Sequence, residues 1–181
     1  MRNISYHDAK DLYMRTLLLS SLALFFIACS SHHEPLPTVE KVDVNRYLGT
    51  WYEIARYEHS FEKGCSNVSA TYSLRGSDEI DVLNRCQKED GSLSEAKGIA
   101  YATDASNAKL KVSFFRPFYG NYWVIMLDED YSYAVIAEPS REYFWILSRT
   151  KKLDDKVLKE ILQKLPEYGY SADKLIWTPQ N

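Results

Sequence analysis

Basic residues are not in excess in this chain. Its 181 residues include 22 lysines and arginines against 25 aspartates and glutamates, a formal charge of −3. A nucleic-acid binder carries a basic face, so no nucleic-acid partner is expected. Glycine (7) and proline (6) are scarce, which excludes collagen-like and low-complexity chains. Catalytic signatures are missing too: there is no His-Glu-x-x-His, no Gly-x-Ser-x-Gly, no phosphate-cradling glycine loop and no dinucleotide fingerprint. Only four histidines occur. His7 precedes the long apolar run, and His32-His33 lies in a polar stretch suited at most to weak metal binding. His59 has no motif placing a nucleophile beside it. No catalytic residue, bound metal or cofactor is expected. What the chain does have is 45% hydrophobic residues, 14 tyrosines, 7 phenylalanines and 4 tryptophans. That content suits one packed domain rich in strands.

One apolar run stands alone. Residues Thr16–Ala28 read TLLLSSLALFFIA and end at Cys29. The run matches a signal-peptide core and is short of the ~20 residues of a spanning helix. Met14-Arg15 just before it makes a compact start, so Met14 is the expected true initiator and residues 1–13 an extension of the reading frame. Phe26-Ile27-Ala28-Cys29 resembles a bacterial lipobox, in which a small residue precedes a cysteine that is acylated and becomes the mature N-terminus. The resemblance implies lipidation at Cys29, and Ser30 after it implies outer-membrane sorting. The alternative is an ordinary secretory peptide followed by a chance cysteine. Residues 1–28 are thus read as a signal peptide, 29–42 as a polar lipidated tether with two prolines, and 43–181 as the domain.

Within the domain, β-rich runs recur at Thr50–Arg56, Val68–Leu74, Ile80–Cys86, Glu95–Ala102, Lys109–Phe115, Tyr122–Leu127, Tyr133–Ala137 and Tyr143–Ser148. Turn residues such as Arg75-Gly76-Ser77-Asp78 and Asp128-Glu129-Asp130 separate them. Eight short strands with short connections predict an antiparallel up-and-down barrel. From Asp154, a plausible N-cap, Val157, Leu158, Ile161, Leu162 and Leu165 form a helical stripe that Pro166 and Gly169 end. This single helix is expected outside the barrel, with a short strand at Leu175-Ile176-Trp177 after it. Cys65 and Cys86 are left over after Cys29. An exported chain tends to pair such cysteines, and their midpoint falls next to Gly76 in a turn, so a Cys65–Cys86 disulfide is expected.

Tyr47-Leu48-Gly49-Thr50-Trp51-Tyr52-Glu53-Ile54-Ala55 resembles the first signature of the lipocalins. Leu127-Asp128-Glu129-Asp130-Tyr131 is an imperfect version of the second. Trp145-Ile146-Leu147-Ser148-Arg149-Thr150 resembles the third, an arginine ending the last barrel strand. The resemblance covers about residues 43–178. It is nearest to the bacterial outer-membrane lipoprotein group, related to apolipoprotein D, and Lys111–Phe115 and Pro117–Gly120 belong to that closer match. It implies an eight-stranded lipocalin barrel with one C-terminal helix packed outside. Gly49, Trp51 and Arg149 become structural signature residues, the arginine closing the barrel floor against the indole.

Strand parity then places residues. Ile80, Val82 and Asn84 share one face, as do Leu110, Val112 and Phe114, and as do Tyr143, Trp145, Leu147 and Arg149. The signature sets Arg149 inward, so Trp145 follows. By the resemblance, Tyr72, Asn84, Phe114, Tyr119 and Trp145 line a ligand cavity, expected to be aromatic with few polar groups and no charged clamp. The implied function is a membrane-anchored lipocalin that stores or transports fatty acids or lysophospholipids in the bacterial envelope without chemical turnover. A homodimer is the assembly implied for the closest group. The rivals are a lipocalin-fold enzyme acting on a lipid, and a structural envelope lipoprotein with a filled barrel.

Overall fold

In the computed structural model, which describes residues 34–181, eight strands follow one another around a closed barrel. They are β1 Gly49–Arg56, β2 Ser66–Arg75, β3 Glu79–Gln87, β4 Leu93–Ala102, β5 Lys109–Phe115, β6 Phe118–Leu127, β7 Tyr133–Ala137 and β8 Phe144–Ser148. Each pairs antiparallel with the next. β1 closes the ring by pairing with both β2 (Trp51 opposite Ala70) and β8 (Glu53 opposite Leu147). A short β9, Ile176–Trp177, adds to the remaining edge of β1. Because strands alternate in direction, the loops 57–65, 88–92, 116–117 and 138–143 gather at one end. The turns 76–78, 103–108 and 128–132 lie at the other. The eight-stranded meander with a helix outside is therefore the observed fold.

Two cores flank the sheet. The inner one packs Trp51, Tyr72, Val82, Leu110, Val124, Ile136 and Leu147 inside the barrel. The outer one packs Ile125, Val135, Ala137, Phe144 and Ile146 beneath α2, Asp155–Lys164. Strand β7 is buried on both faces from Ala134 to Ala137, which is why it reads as an unbroken apolar run and not as an alternating one. Helix α2 starts where its cap predicts, with the Asp154 carboxylate accepting from the amides of Lys156 and Val157. It sets Ile161 and Leu165 into the outer core and stops after a 3-10 turn at Gly169, whose φ of 78° suits glycine. Among the described residues no helix is long and apolar enough to cross a membrane.

Four sequence expectations shift. First, the polar stretch before the barrel is not a free tether from residue 34 onward. Arg141 donates to the carbonyl of Glu34, Val39 N–H to Val124 and Val42 N–H to Ser106. Leu36 and Val42 are buried, because apolar residues at that spacing find both cores available. The segment thus runs from the 138–143 loop to the 103–108 turn, and the domain begins before residue 43. Second, a further short helix, α1 Val44–Tyr47, follows it under an Asp43 cap. Third, β6 begins at Phe118 and not at Tyr122, since Phe115 pairs directly with Phe118 in a tight hairpin. Gly120, opposite Val112, lies within the strand and interrupts its apolar alternation. Fourth, the β2–β3 turn is centred near Ser77, with Arg75 opposite Glu79, and a bulge lies between Ser66 and Ser69. Cys65 and Cys86 are accordingly offset and not directly opposite, yet their Cα atoms are 5.4 Å apart and the disulfide is formed. The signal peptide, Cys29 and His32-His33 lie outside the described residues.

Candidate functional site

The lumen contains a cavity of about 570 Å³ that reaches the end carrying loops 57–65, 116–117 and 138–143. All five residues expected to line it do so: Tyr72 from β2, Asn84 from β3, Phe114 from β5, Tyr119 from β6 and Trp145 from β8. Parity places them. The faces Ile80/Val82/Asn84, Leu110/Val112/Phe114 and Tyr143/Trp145/Leu147 all look into the cavity. Tyr72 is buried deep, whereas Phe114 and Tyr119 are half-exposed near the mouth, Tyr119 packed edge-on against Tyr101. Phe114 sits across Gly98, where a Cβ would come within 2.8 Å of its ring, so a glycine is required at that crossing.

The far end is closed by stacked groups. The Arg149 guanidinium lies 3.8 Å from the centre of the Trp51 ring, and the Tyr47 ring packs tilted against the same indole at 4.9 Å. Arg149 donates to the carbonyls of Arg46, Tyr47, Thr50 and Tyr131, which satisfies a half-buried cation. Gly49 has φ 93°, and a Cβ there would meet the guanidinium at 3.4 Å. Tyr131, in the imperfect second signature, accepts the Asp43 N–H at its hydroxyl and receives the Arg46 guanidinium over its ring. The three signatures thus meet at one place, as a floor; Arg149 does not line the cavity.

The lumen is more polar than expected. At its base Tyr47, Tyr122 and Tyr72 are linked hydroxyl to hydroxyl, at 2.7 and 2.9 Å. Burial raises all three pKa values, that of Tyr72 to about 12, so the phenols stay protonated. Three hydroxyls share two bonds, which leaves one O–H proton for a further acceptor. Asn84 Oδ1, buried in the wall, has no partner among the described residues.

Nearer the mouth lies a buried charged cluster that the sequence reading missed: Glu53 and Arg56 on β1, with His59 and Glu62 in the 57–65 loop. Arg56 Nη1 donates to Glu53 Oε1 at 3.5 Å and Nη2 to the Glu62 carbonyl at 3.0 Å. Thr178 donates to the same Glu53 oxygen. Arg56 Nε and His59 Nε2 approach Glu62 Oε2 at 3.3 and 3.4 Å, but none of these three atoms completes a well-directed hydrogen bond. Burial raises the Glu62 pKa to about 9, and the neighbouring Glu53 charge adds to it, while Arg56 and Trp145 oppose. Burial likewise raises Glu53. His59 falls to about 4 through burial and the Arg56 charge, so its ring is neutral at pH 7. It stacks on Phe61 at 3.9 Å and approaches Trp145 at 5.3 Å. Glu53 was legible in one respect: it lies two residues after Trp51 on β1, hence on the same inward face. His59 and Glu62 depend on a loop whose path no periodicity reveals.

A family model described as "Lipocalin-like domain" matches residues 42–180. The chain is 46% identical over 165 residues to "Outer membrane lipoprotein Blc" of Escherichia coli (strain K12), covering 89% of this chain and 93% of that protein. It is 34% identical over 154 residues to "Apolipoprotein D" of Mus musculus, covering 80% of each. Its fold resembles that of insecticyanin from the tobacco hornworm Manduca sexta, with TM-score 0.67 and 20% identity over 81% of this chain and 85% of that one. With the three signatures assembled at one floor beneath an open lumen, the chain belongs to the lipocalin family.

Proposed function

We propose that this protein is a carrier or store of single-chain lipids, fatty acids or lysophospholipids, anchored to the bacterial outer membrane by a lipid on Cys29. The observation that carries the reading is the cavity: about 570 Å³, closed at one end, open at the other and walled mainly by apolar side chains. That size is ordinary for a small-ligand site. An acyl chain laid along Val82, Leu110 and Leu147 gains about 0.8 kcal/mol per buried CH₂ before association costs. A micromolar Kd, about −8 kcal/mol, is within reach of such burial. The printed name of the E. coli relative supports the location, and the apolar run ending at Cys29 supports the anchor. The step is reversible binding, with no bond made or broken.

The test is a titration of the delipidated, refolded domain with palmitate and with a lysophospholipid, followed by tryptophan fluorescence and native mass spectrometry. Saturable 1:1 binding is expected. A folded domain that binds neither lipid would reduce the protein to a structural lipoprotein, and multiple turnover of either lipid would make it an enzyme.

A further inference from the structure

We propose that Glu62 and Glu53, framed by the rings of Phe61, Tyr143 and Trp145, form a subsite for the cationic nitrogen of a lipid head group, so that the cavity selects single-chain amphiphiles with an ammonium head. This rests on the lipid-carrier reading above and adds the charge of the head.

The cluster sets two carboxylates against one guanidinium. Arg56 bonds Glu53 through Nη1 and faces Glu62 Oε2 through Nε at 3.3 Å without a well-directed bond, and Thr178 completes the Glu53 oxygen. Glu62 Oε2 is the remainder: the residue is 8% exposed, it lines the cavity, and that oxygen lacks a hydrogen bond. The groups facing it are Glu53 and Arg56 from β1, His59 from its own loop, Tyr72 from β2 and Trp145 from β8. His59 and Tyr72 are neutral at pH 7, so only one cation opposes two acids. The excess acid is relieved by a proton on Glu62, and an approaching ammonium can take that proton's place. An anionic head would instead meet the charge of Glu53 in a medium that screens it poorly.

The surrounding rings favour the same sign. Phe61, Tyr143 and Trp145 all line the cavity beside Glu62. Tyr143 is near-parallel to Trp145 at 6.0 Å and to Phe61 at 6.2 Å. Aromatic faces attract cations, more strongly where water is excluded. Phe61 and Tyr143 are also partly exposed, so the subsite lies at the mouth, where a head group belongs when its chain points to the tyrosine floor.

Lysophosphatidylethanolamine and lysophosphatidylglycerol of the same acyl chain share phosphate and tail and differ in the ammonium. The folded domain should bind the ethanolamine lipid on the order of tenfold more tightly, as a charge-assisted contact predicts. Calorimetry in two buffers of different ionisation enthalpy should show proton release with the ethanolamine lipid and none with the glycerol lipid. Glu62→Gln should bring the affinity ratio towards one and abolish the release, Glu53→Gln should narrow the ratio, and Glu160→Gln on the exposed helix should keep it. Millimolar ethanolamine alone should not compete, since the chain supplies the burial. Equal affinity of the wild-type domain for both lipids overturns the subsite while leaving lipid binding intact. A ratio that survives Glu62→Gln, or competition by free ethanolamine, overturns it as well. Binding of neither lipid overturns the carrier reading itself.

Discussion

Single residues carry both the wall of the cavity and its electrostatics. Parity from Arg149 and the resemblance both place Trp145 in the lumen, and the structure puts it in the wall between Tyr143 and Leu147. If an acyl chain packs on its indole, Trp145→Ala weakens lipid binding by about 1–3 kcal/mol. Lys109→Ala, which removes an ammonium lying over Trp123, leaves binding unchanged; fluorescence titration of both variants checks this. The charged cluster makes its own prediction. Glu62 keeps its proton in the folded barrel up to about pH 9, whereas the unfolded chain loses it near 4.5. The folded form therefore binds more protons across that window, and stability falls as pH rises through it. His59 acts in the opposite sense, because the unfolded chain binds a proton below about 6.5 that the buried ring refuses until about 4. The two slopes oppose each other between about pH 4.5 and 6.5, and only the decline remains above. Urea midpoints should thus drop from pH 6.5 towards 9, and Glu62→Gln should flatten that drop. The same parity that found Trp145 could have found Glu53 from Trp51. It could not find Glu62 or His59, because a loop has no period.

Elements were legible where their chemistry is local. The N-cap at Asp154 and the stripe from Val157 to Leu165 define α2 without reference to anything else. Asp154→Ala should cost about 1 kcal/mol of stability in a denaturant titration. The strands with alternating faces were equally plain. Boundaries failed where a glycine or a partner intervened: at Gly120, which hid the start of β6, and at the 34–42 segment, whose Leu36 and Val42 look like linker residues until two cores accept them. The disulfide shows the same division. Its pairing follows from compartment and count, but the offset of the two cysteines follows from the turn being centred near Ser77, which symmetry about Gly76 does not encode. Closing 21 residues of separation should contribute on the order of 3 kcal/mol. Replacing Cys65 and Cys86 together by serine should lower the unfolding free energy by about that amount with the barrel still formed, as circular dichroism and urea unfolding would show.

At the scale of the molecule, the barrel stands between a lumen that accepts a ligand and an outer core that does not. A ligand at 100 times its Kd should raise stability by about 2.7 kcal/mol, visible as a higher Tm with lipid than without. Cys29→Ser should move the protein from the membrane to the soluble fraction of the envelope, with loss of label from an alkyne fatty acid. The segment that enters the domain also fixes an orientation. Glu34 is held by Arg141 in the same loop cluster that surrounds the mouth, and from there the chain descends along β6 to the closed floor. From Cys29 to Glu34 the backbone can extend by at most about 18 Å. A lipid on Cys29, as proposed above, would therefore be a short mooring line tied at the rim. It would hold the doorway, and not the sealed end, within a few lipid widths of the bilayer, leaving a departing lipid little water to cross.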